Sequence, residues 1–206
     1  MGVTIVTSSP SLVAGGLTGE AFSPKFGAKT EATLRKMGVT VLTGSRVERG
    51  EDGSWAAKTD KGADVGADIV YDCTGSRPAT AWAAAPGSAV RVDPTGSVLV
   101  ERTLEAQGGA GRIFALGDCA GTGDLKQGYF AKEAHGPLVV ANVLAAIAGK
   151  PLAQLKASPR DLMLVAIGRK GGVCHLPGGT TCAGCCPVMV KSGDLFIAHT
   201  RQDLGL

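Results

Sequence analysis

The segment RIFALGDCAGTGD, residues 112–124, joins an apolar run to a glycine and a carboxylate. The run from Ile113 to Leu116 has the length and composition of a buried strand, and Gly117-Asp118 follow it immediately. Glycine at such a point lets a ligand approach the backbone closely, because it has no side chain. A carboxylate there can accept hydrogen bonds from sugar-like hydroxyl groups. The segment therefore predicts a strand followed by a ligand-binding turn, although an ordinary polar turn after a strand would have the same residues.

The segment IVYDCTG, residues 69–75, has the same arrangement, with an apolar run that ends in a small residue and glycine. A helical pattern over 126–149 follows the second of these two strand ends. A helix that begins near 126–128 would direct free N–H groups and the positive end of its dipole toward a ligand. The two strand ends together favour a ligand-binding site over two unrelated turns.

Strand and helix patterns alternate along the N-terminal half of the chain. Residues 3–7 and 39–47 are predicted strands on either side of a helix predicted over 25–37. Residues 55–73 are predicted as a hairpin whose second arm is the run 69–73. This alternation is typical of α/β domains. A G-x-G-x-x-G turn, the usual signature of a dinucleotide-binding domain, does not follow the first strand of this sequence.

The other predicted elements lie in the second half of the chain. Strands are predicted at 97–105 and 112–116, and one helix or two at 126–149, with a division at Gly136-Pro137 because proline interrupts a helix interior. The tail is predicted to hold a strand near 162–167, a turn-rich cysteine segment, and a short strand or helix around 188–198.

Composition excludes several classes of protein. The chain has 206 residues, 44% of them apolar, and this content excludes a disordered protein. A net charge of +3, with no basic run longer than two residues, argues against nucleic-acid binding. No apolar stretch reaches the roughly 18–20 residues of a membrane span. Six cysteines without a secretory signal predict reduced thiols in a cytosol-like compartment.

Two motifs carry a resemblance to a known family. The T-G-x-x-P stretch at 74–78 and the R-I-F-A-x-G-D-C-A stretch at 112–120 resemble signatures of the pyridine nucleotide-dependent flavoprotein oxidoreductases, which pair FAD- and NAD(P)H-binding domains. Downstream residues follow the order of the apoptosis-inducing-factor-like group, the ferroptosis-suppressor quinone reductases, close to type II NADH dehydrogenases. They are Tyr129, His135, Ala141-Asn142, Lys150-Pro151-Leu152, Ile167-Gly168-Arg169, Gly172-Val173 and Lys191-Ser192-x-Asp194-Leu195-Phe196.

The resemblance implies an α/β fold in three parts. A partial Rossmann-like NAD(P)H-binding domain is expected over 1–82, the second segment of an FAD-binding domain over 83–150, and a C-terminal extension that forms an interface region over 151–206. The first FAD-binding segment of the family has no match, so the chain is expected to correspond to the C-terminal portion of such an enzyme.

The same resemblance implies the cofactor-binding residues on the flavin side. Gly117 and Asp118 would hold the ribityl chain of FAD, with Asp118 accepting a hydrogen bond from a ribityl hydroxyl. Lys126 and Gln127 would lie at a helix start beside the isoalloxazine ring. Lys191 matches a family lysine close to the flavin edge and is the candidate catalytic residue, although a solvated surface lysine has equal standing.

NAD(P)H would lie near Thr74 and Gly75, and Thr7 and Ser8 would lie at the strand end that normally contacts its adenosine ribose. Relatives that prefer NADH often have an acidic residue at this strand end, so its absence leaves NADH and NADPH open. Electrons would pass through the flavin to a quinone-like acceptor. The cysteine content predicts a cytoplasmic location, and peripheral membrane contact of a full-length protein is left open.

Two other functions stay open at this point. Without the first FAD segment the chain could be a non-catalytic, partner-dependent module that does not bind FAD alone. A metal-binding module is less favoured, although soft ligands cluster in the tail: Cys174, His175, Cys182, Cys185 and Cys186. No metal site is predicted, because C-x-x-C occurs only once. His135 is expected to pack or cap a helix rather than to carry protons.

Overall fold

A computed structural model describes residues 2–13, 22–75, 77–123, 127–156, 162–184 and 187–206. The chain forms two compact units, one made of Met1–Asp72 and Asp161–Leu206 and the other of Cys73–Arg160. Helices and strands are mixed in the chain, as the predicted α/β class requires. The functional boundaries implied by the resemblance, after residues 82 and 150, stay a prediction.

The first unit begins with a strand-helix-strand motif. β1 (Val3–Val6) pairs in parallel with β2 (Val39–Leu42), and α1 (Pro24–Lys36) lies between them in the chain. A parallel pair needs such a crossover, because its two strands run in the same direction. Gly38 follows α1 with a φ of +81°, a conformation that glycine adopts at little cost. The first predicted strand and helix are therefore confirmed.

Two strands occupy the segment 39–49, where the sequence predicted a single strand over 39–47. β2 ends at Leu42, and β3 (Val47–Arg49) pairs antiparallel with β4 (Trp55–Thr59) instead of continuing β2. Gly44 lies between them with a φ of +59°, which turns the chain out of the first sheet.

The strand predicted over 69–73 is wrong. Ile69, Val70 and Tyr71 lie in no strand, and they are 69%, 48% and 83% exposed. β4 pairs with β3 rather than with this run. An apolar run becomes a strand only where a neighbouring strand satisfies its N–H and C=O groups, and the described residues supply none here.

An antiparallel sheet forms the C-terminal part of the first unit. Its strands are β5 (Met163–Ala166), β6 (Gly172–Leu176) and β7 (Thr180–Ala183). β5 confirms the strand predicted near 162–167. The cysteine segment predicted as turn-rich is instead the β6–β7 hairpin.

α1 packs against this sheet through an aromatic cluster. Phe26 of α1 is fully buried, and its ring centroid lies 5.4 Å from those of both Phe22 and His175. Lys29 reaches the same sheet, where its Nζ donates a hydrogen bond to the carbonyl of Thr181 at 3.0 Å. The cluster therefore fixes the helix on the hairpin.

A disulfide joins the two strands of the hairpin. Cys174 on β6 lies directly opposite Cys182 on β7, with 5.3 Å between their Cα atoms. The prediction of reduced thiols is wrong for this pair, because the strand register brings the two side chains together. Cys73 and Cys119 are free thiols, as predicted. Cys185 and Cys186 lie outside the described residues.

Small side chains form the core of the second unit, the segment Cys73–Arg160. The core residues are Ala83, Val90, Val98, Ala106, Ala115 and Ala120. The strands predicted over 97–105 and 112–116 are wrong, because these segments make only isolated bridges such as Val98 with Ala120. Leu104 has a φ of +65° in a tight turn that folds 97–105 back on the residues after it.

Asp93 closes a turn in this unit. Its Oδ1 accepts hydrogen bonds from the Thr95 hydroxyl at 2.6 Å, the Thr95 N–H at 2.8 Å and the Ser97 N–H at 2.9 Å. These bonds, the Thr95 hydroxyl first, hold the pKa of the Asp93 carboxyl below its ordinary value of 3.8. The ionised form is therefore favoured in the folded chain.

We expect Asp93→Asn to lower the free energy of unfolding at pH 7 by less than about 1 kcal/mol, since the turn is partly exposed. A lowered folded-state pKa stabilises the fold above pH 3.8 and is lost as the pH falls through the folded value. The difference between wild type and variant should therefore vanish near about pH 2 in urea titrations. A difference that is the same at both pH values would contradict this role for the charge.

One helix dominates the second unit. It runs through α2 (Gly128–Phe130), a π-helical turn (Ala131–His135) and α3 (Gly136–Ile147). The predicted division at Gly136-Pro137 does not occur. The N–H of Gly136 donates to the carbonyl of Ala131, and this wider π spacing places Pro137 in the first turn of α3. Proline lacks an N–H and is tolerated in a first turn.

α3 buries a polar side chain and exposes apolar ones. Asn142 is 1% exposed, whereas Val140, Leu144 and Ile147 are 61%, 62% and 79% exposed. These apolar residues, with Val143, recur at spacings of three and four and form one face of the helix, here called the α3 stripe.

The C-terminal segment of the first unit is helical. A π-helical turn (Val188–Ser192) is followed by α4 (Ile197–Asp203), and this confirms the short element predicted around 188–198 as helix. In the part of the chain that the structure describes, no helix has the length and apolar character needed to cross a membrane.

Candidate functional site

The Gly117–Cys119 segment forms a 3-10 turn at the end of the extended run 112–116. Gly117 has a φ of +67°, the left-handed conformation that favours glycine. Its N–H donates to His135 Nδ1 at 3.2 Å. The Cys119 carbonyl accepts a hydrogen bond from the Val98 N–H at 2.8 Å, so both ends of the turn are held.

His135 supports this turn from the π-helical turn behind it. It is 3% exposed, and its Nδ1 accepts the Gly117 N–H, so this nitrogen carries no proton. The arrangement agrees with the predicted packing or capping role.

Asp118 is exposed at the apex of the turn. Within the described residues its carboxylate has no hydrogen bond or ion pair, so both oxygens are available to a ligand. Gln127 occupies the N-cap position of α2 without a side-chain capping hydrogen bond, and α2 packs against the same turn. Lys126, predicted at this helix start, lies outside the described residues.

We expect Gly117→Ala to lower the free energy of unfolding by about 1–2 kcal/mol, because alanine in the left-handed region costs that much. The cost is conformational, since an added Cβ would lie 3.5 Å from the Cβ of Ala131, an ordinary contact. Gly128→Ala is the matched control, because nothing lies within 4 Å of a Cβ added there. In urea titrations Gly128→Ala should not destabilise the chain, and an equal loss in both variants would contradict the argument.

Thr7 and Ser8 follow the carboxyl end of β1, at the edge where parallel strands usually present ligand-binding residues. The Thr7 N–H donates to the Leu42 carbonyl at 2.9 Å, and its carbonyl accepts the Ser45 N–H at 3.0 Å. The Thr7 backbone is therefore fixed by the neighbouring strand. Ser8 is exposed, and its hydroxyl has no hydrogen-bond partner among the described residues.

The other predicted residues differ in their surroundings. Thr74 and Gly75 are exposed, and Gly75 has a φ of +85°. Lys191 is partly buried, and its Nζ donates to the Leu164 carbonyl of β5 at 3.1 Å. This bond joins the Val188–Ser192 turn to the sheet and gives Lys191 a structural role. A catalytic role for it stays a prediction.

Only some of the predicted residues are brought together. Gly117, Asp118 and Gln127 lie on contacting elements of the second unit, which also contains Thr74 and Gly75. Thr7 and Ser8 belong to the first unit, as does Lys191. Two arginines that line a groove in the first unit, Arg169 and Arg201, were not predicted as site residues, although Arg169 belongs to the Ile167-Gly168-Arg169 match.

The family assignment follows from a direct comparison. A family model described as pyridine nucleotide-disulphide oxidoreductase matches residues 3–142, which include both the β1–β2 motif and the Gly117–Cys119 turn. The chain belongs to this family. The family predicted from the two sequence motifs is therefore confirmed, and FAD and a pyridine nucleotide are the cofactors expected of it.

Several named proteins are similar to this member of the family. Ferroptosis suppressor protein 1 of Taeniopygia guttata is 31% identical over 183 residues, which cover 85% of this chain and 47% of the relative. The FAD-dependent oxidoreductase FVFD30 of Flammulina velutipes is 28% identical over 205 residues, 98% of this chain and 61% of the relative. The chain thus spans about half the length of the curated relatives it matches.

Solved structures agree with the fold. A FAD-dependent pyridine nucleotide-disulphide oxidoreductase from Desulfovibrio vulgaris has a TM-score of 0.62 at 25% identity, over 83% of this chain and 41% of that one. A water-forming NADH oxidase from Lactobacillus brevis, bound to NADH, has a TM-score of 0.57 at 20% identity, over 84% of this chain and 36% of that one. The second likeness concerns the fold alone.

Proposed function

We propose that this chain contributes to an FAD-dependent NAD(P)H oxidoreductase that passes electrons to a quinone-like acceptor. The observation that carries the proposal is the Gly117–Cys119 turn, which presents beside a helix start a carboxylate that has no partner among the described residues. The relative named as an FAD-dependent oxidoreductase supports the FAD-dependent part of this activity. We also propose a cytoplasmic location.

The residues present fit the flavin side of such a site. Asp118 would accept a hydrogen bond from a ribityl hydroxyl, and Gly117 would let the cofactor approach the backbone. The helix that starts at Gln127 would stabilise negative charge near its N-terminus. FAD, when bound, supplies the redox chemistry between NAD(P)H and the acceptor. The chain's own part is to bind and orient.

The residues at the edge of β1 fit the nucleotide side. The exposed hydroxyl of Ser8 and that of Thr7 are donors and acceptors suited to ribose hydroxyls or a phosphate. Neither residue carries charge, so the choice between NADH and NADPH stays open. A role for Thr74 and Gly75 near the nucleotide stays a prediction from the resemblance.

A second candidate function has an observation of its own. The α3 stripe places four exposed apolar side chains on one face of a helix, which is more than a single scattered side chain. This favours a partner-dependent module, in which a further polypeptide must cover the surface before FAD binds. The metal-binding module loses two of its ligands, because Cys174 and Cys182 are joined to each other.

Flavin binding separates the two candidates. The purified chain is incubated with FAD, free cofactor is removed, and the visible absorption spectrum is recorded. Retained flavin absorbance, followed by NADH or NADPH oxidation with a short-chain benzoquinone, would support the oxidoreductase on its own. A colourless chain that acquires flavin only with an added partner would support the module.

Asp118→Asn tests the proposed cofactor contact. We expect FAD affinity to fall about 10- to 100-fold, because a hydrogen bond to a charged group is worth about 1.5–3 kcal/mol. The affinity is measured by flavin fluorescence quenching, with Glu101→Gln as a control in the same unit. Equal FAD affinities for the Asp118→Asn and wild-type chains would remove Asp118 from the site.

A further inference from the structure

A groove of about 850 Å³ lies in the C-terminal part of the first unit. The turn between β5 and β6 contributes Arg169. The C-terminal segment contributes Gly193, Asp194, Leu195, Ile197, Ala198, Arg201 and Leu206. None of these residues is among those assigned to FAD or NAD(P)H. We propose that this groove binds an amphiphilic anion, a molecule with an apolar chain or ring and a carboxylate, sulfate or phosphate head.

Two free guanidinium groups give the groove its charge. Arg169 and Arg201 are exposed, and within the described parts of the chain neither side chain has a hydrogen bond or an ion pair. The other ionisable side chains of α4 contact each other, since His199 Nε2 lies 3.8 Å from Asp203 Oδ2. A planar guanidinium matches a carboxylate or phosphate with two parallel hydrogen bonds.

The acidic side chain in the groove lining does not neutralise them. The Asp194 carboxylate accepts the Phe196 N–H at 3.0 Å and the Ala198 N–H at 3.3 Å. These backbone donors hold the carboxylate at the start of α4 instead of against an arginine. The described lining therefore has two positive side chains and one negative side chain that is already engaged.

Apolar side chains border the same space. Leu195, Ile197 and Leu206 line the groove and are 58%, 57% and 79% exposed. A contiguous exposed apolar patch with charged residues at its rim is typical of an interaction site. An apolar tail placed here would remove these side chains from water while the head contacts the arginines.

The backbone of this segment is held in a costly conformation. Leu195 and Phe196 have φ values of +54° and +62°, and neither is glycine. Such residues cost roughly 1–2 kcal/mol each in the left-handed region, so surrounding bonds must hold them. Asp194 and the Leu195 N–H, which donates to the Lys191 carbonyl at 2.7 Å, supply those bonds. The strained turn keeps Leu195 at the groove.

Calorimetric titration of the chain with dodecyl phosphate, below the concentration at which it forms micelles, tests the proposal. We expect binding of one molecule per chain, about tenfold weaker in the double variant R169Q/R201Q because two exposed charge contacts are lost. The matched control K170Q/K36Q removes the same charge outside the groove lining and should change the affinity less than about twofold. Ile197→Ser should weaken binding about fivefold through lost apolar contact.

Three results would overturn the proposal. They are an unchanged affinity in R169Q/R201Q, equal binding of uncharged dodecyl maltoside, and equal binding of inorganic phosphate, which lacks a tail. Circular dichroism of each variant shows whether the fold is retained. None of these measurements requires FAD or NAD(P)H, so the result is independent of the proposed redox function.

Sedimentation with lipid vesicles identifies the source of the ligand. If phosphatidylglycerol vesicles bind the chain, phosphatidylcholine vesicles do not, and R169Q/R201Q abolishes the binding, then the head group belongs to a membrane lipid. Binding of dodecyl phosphate without binding of either vesicle supports a soluble amphiphile. Vesicle binding without any binding of monomeric dodecyl phosphate would contradict a groove site.

Discussion

Asn142→Ala is expected to lower the free energy of unfolding by about 3–5 kcal/mol, because it leaves three backbone groups without partners. The Asn142 Nδ2 donates to the carbonyls of Thr103 at 2.8 Å and Ala153 at 2.9 Å, and its Oδ1 accepts the Ala153 N–H at 2.8 Å. The side chain is 1% exposed, so water cannot replace these bonds without reorganisation. Urea denaturation followed by Trp82 fluorescence, in a Trp55→Phe background, measures the change in the second unit.

Two further variants make the Asn142 test specific. Val143→Ala changes a neighbouring residue of α3 that is 37% exposed, and it should cost less than about 1 kcal/mol. Asn142→Asp keeps the shape but places a carboxylate oxygen opposite two carbonyls. It should destabilise strongly at pH 7 and less at low pH, where protonation restores one donor. An Asn142→Ala loss no larger than that of Val143→Ala would contradict the proposed role of this hydrogen-bond set.

Phe26→Ala should cost about 3–5 kcal/mol, the range for removing a buried aromatic side chain. Phe26 is fully buried, and it makes edge-to-face contacts with Phe22 and His175, both at 5.4 Å between centroids. Its loss would leave a cavity between α1 and the hairpin that carries the disulfide. Trp55 fluorescence in a Trp82→Phe background measures the unfolding of the first unit.

Lys25→Ala and Phe26→Leu are the controls. Lys25 is the exposed neighbour on α1, and its substitution should change stability by about 0.5 kcal/mol or less. Phe26→Leu keeps most of the buried volume and should cost less than Phe26→Ala. If Phe26→Leu and Phe26→Ala cost the same, the ring contacts rather than the volume would account for the effect.

Local patterns in the sequence predicted the parts of the fold that local forces form. The residues of β1 alternate in a period of two, and those of α1 follow helical spacing with Gly38 as a stop, so both elements were predicted within one residue. The turn at Gly117 was also predictable, because a glycine and an aspartate end an apolar run there.

The wrong predictions share one physical cause. The runs 69–73 and 112–116 look like buried strands, but a strand also needs a neighbour, and a sequence pattern does not show which neighbour is present. The disulfide between Cys174 and Cys182 likewise depends on the register of β6 and β7. A run of apolar residues thus indicates that a segment favours a buried strand, but it does not show whether a neighbouring strand is present.

The candidate site was predictable only in part. The exposed carboxylate of Asp118 was expected from its motif, whereas the hydrogen bond from Gly117 to His135 spans 18 residues of chain and follows from no spacing rule. The apolar sequence of α3 is typical of a buried helix, yet its buried residue is Asn142. The partners of Asn142 are backbone atoms. Nearly every residue has the same backbone groups, so the sequence does not indicate which of them Asn142 contacts.

The π-helical turn Ala131–His135 sets the rotational phase of α3. Its i→i+5 hydrogen bond makes this turn take up one residue more than an α-helical turn. If the segment returned to α spacing with its length unchanged, everything after it would rotate by about 100°. Asn142 would then point away from the carbonyl of Thr103, and His135 would lose its alignment with the N–H of Gly117. The wide spacing of this turn therefore couples the glycine turn to the buried asparagine. Removing one residue together with the wide spacing would keep the phase of α3.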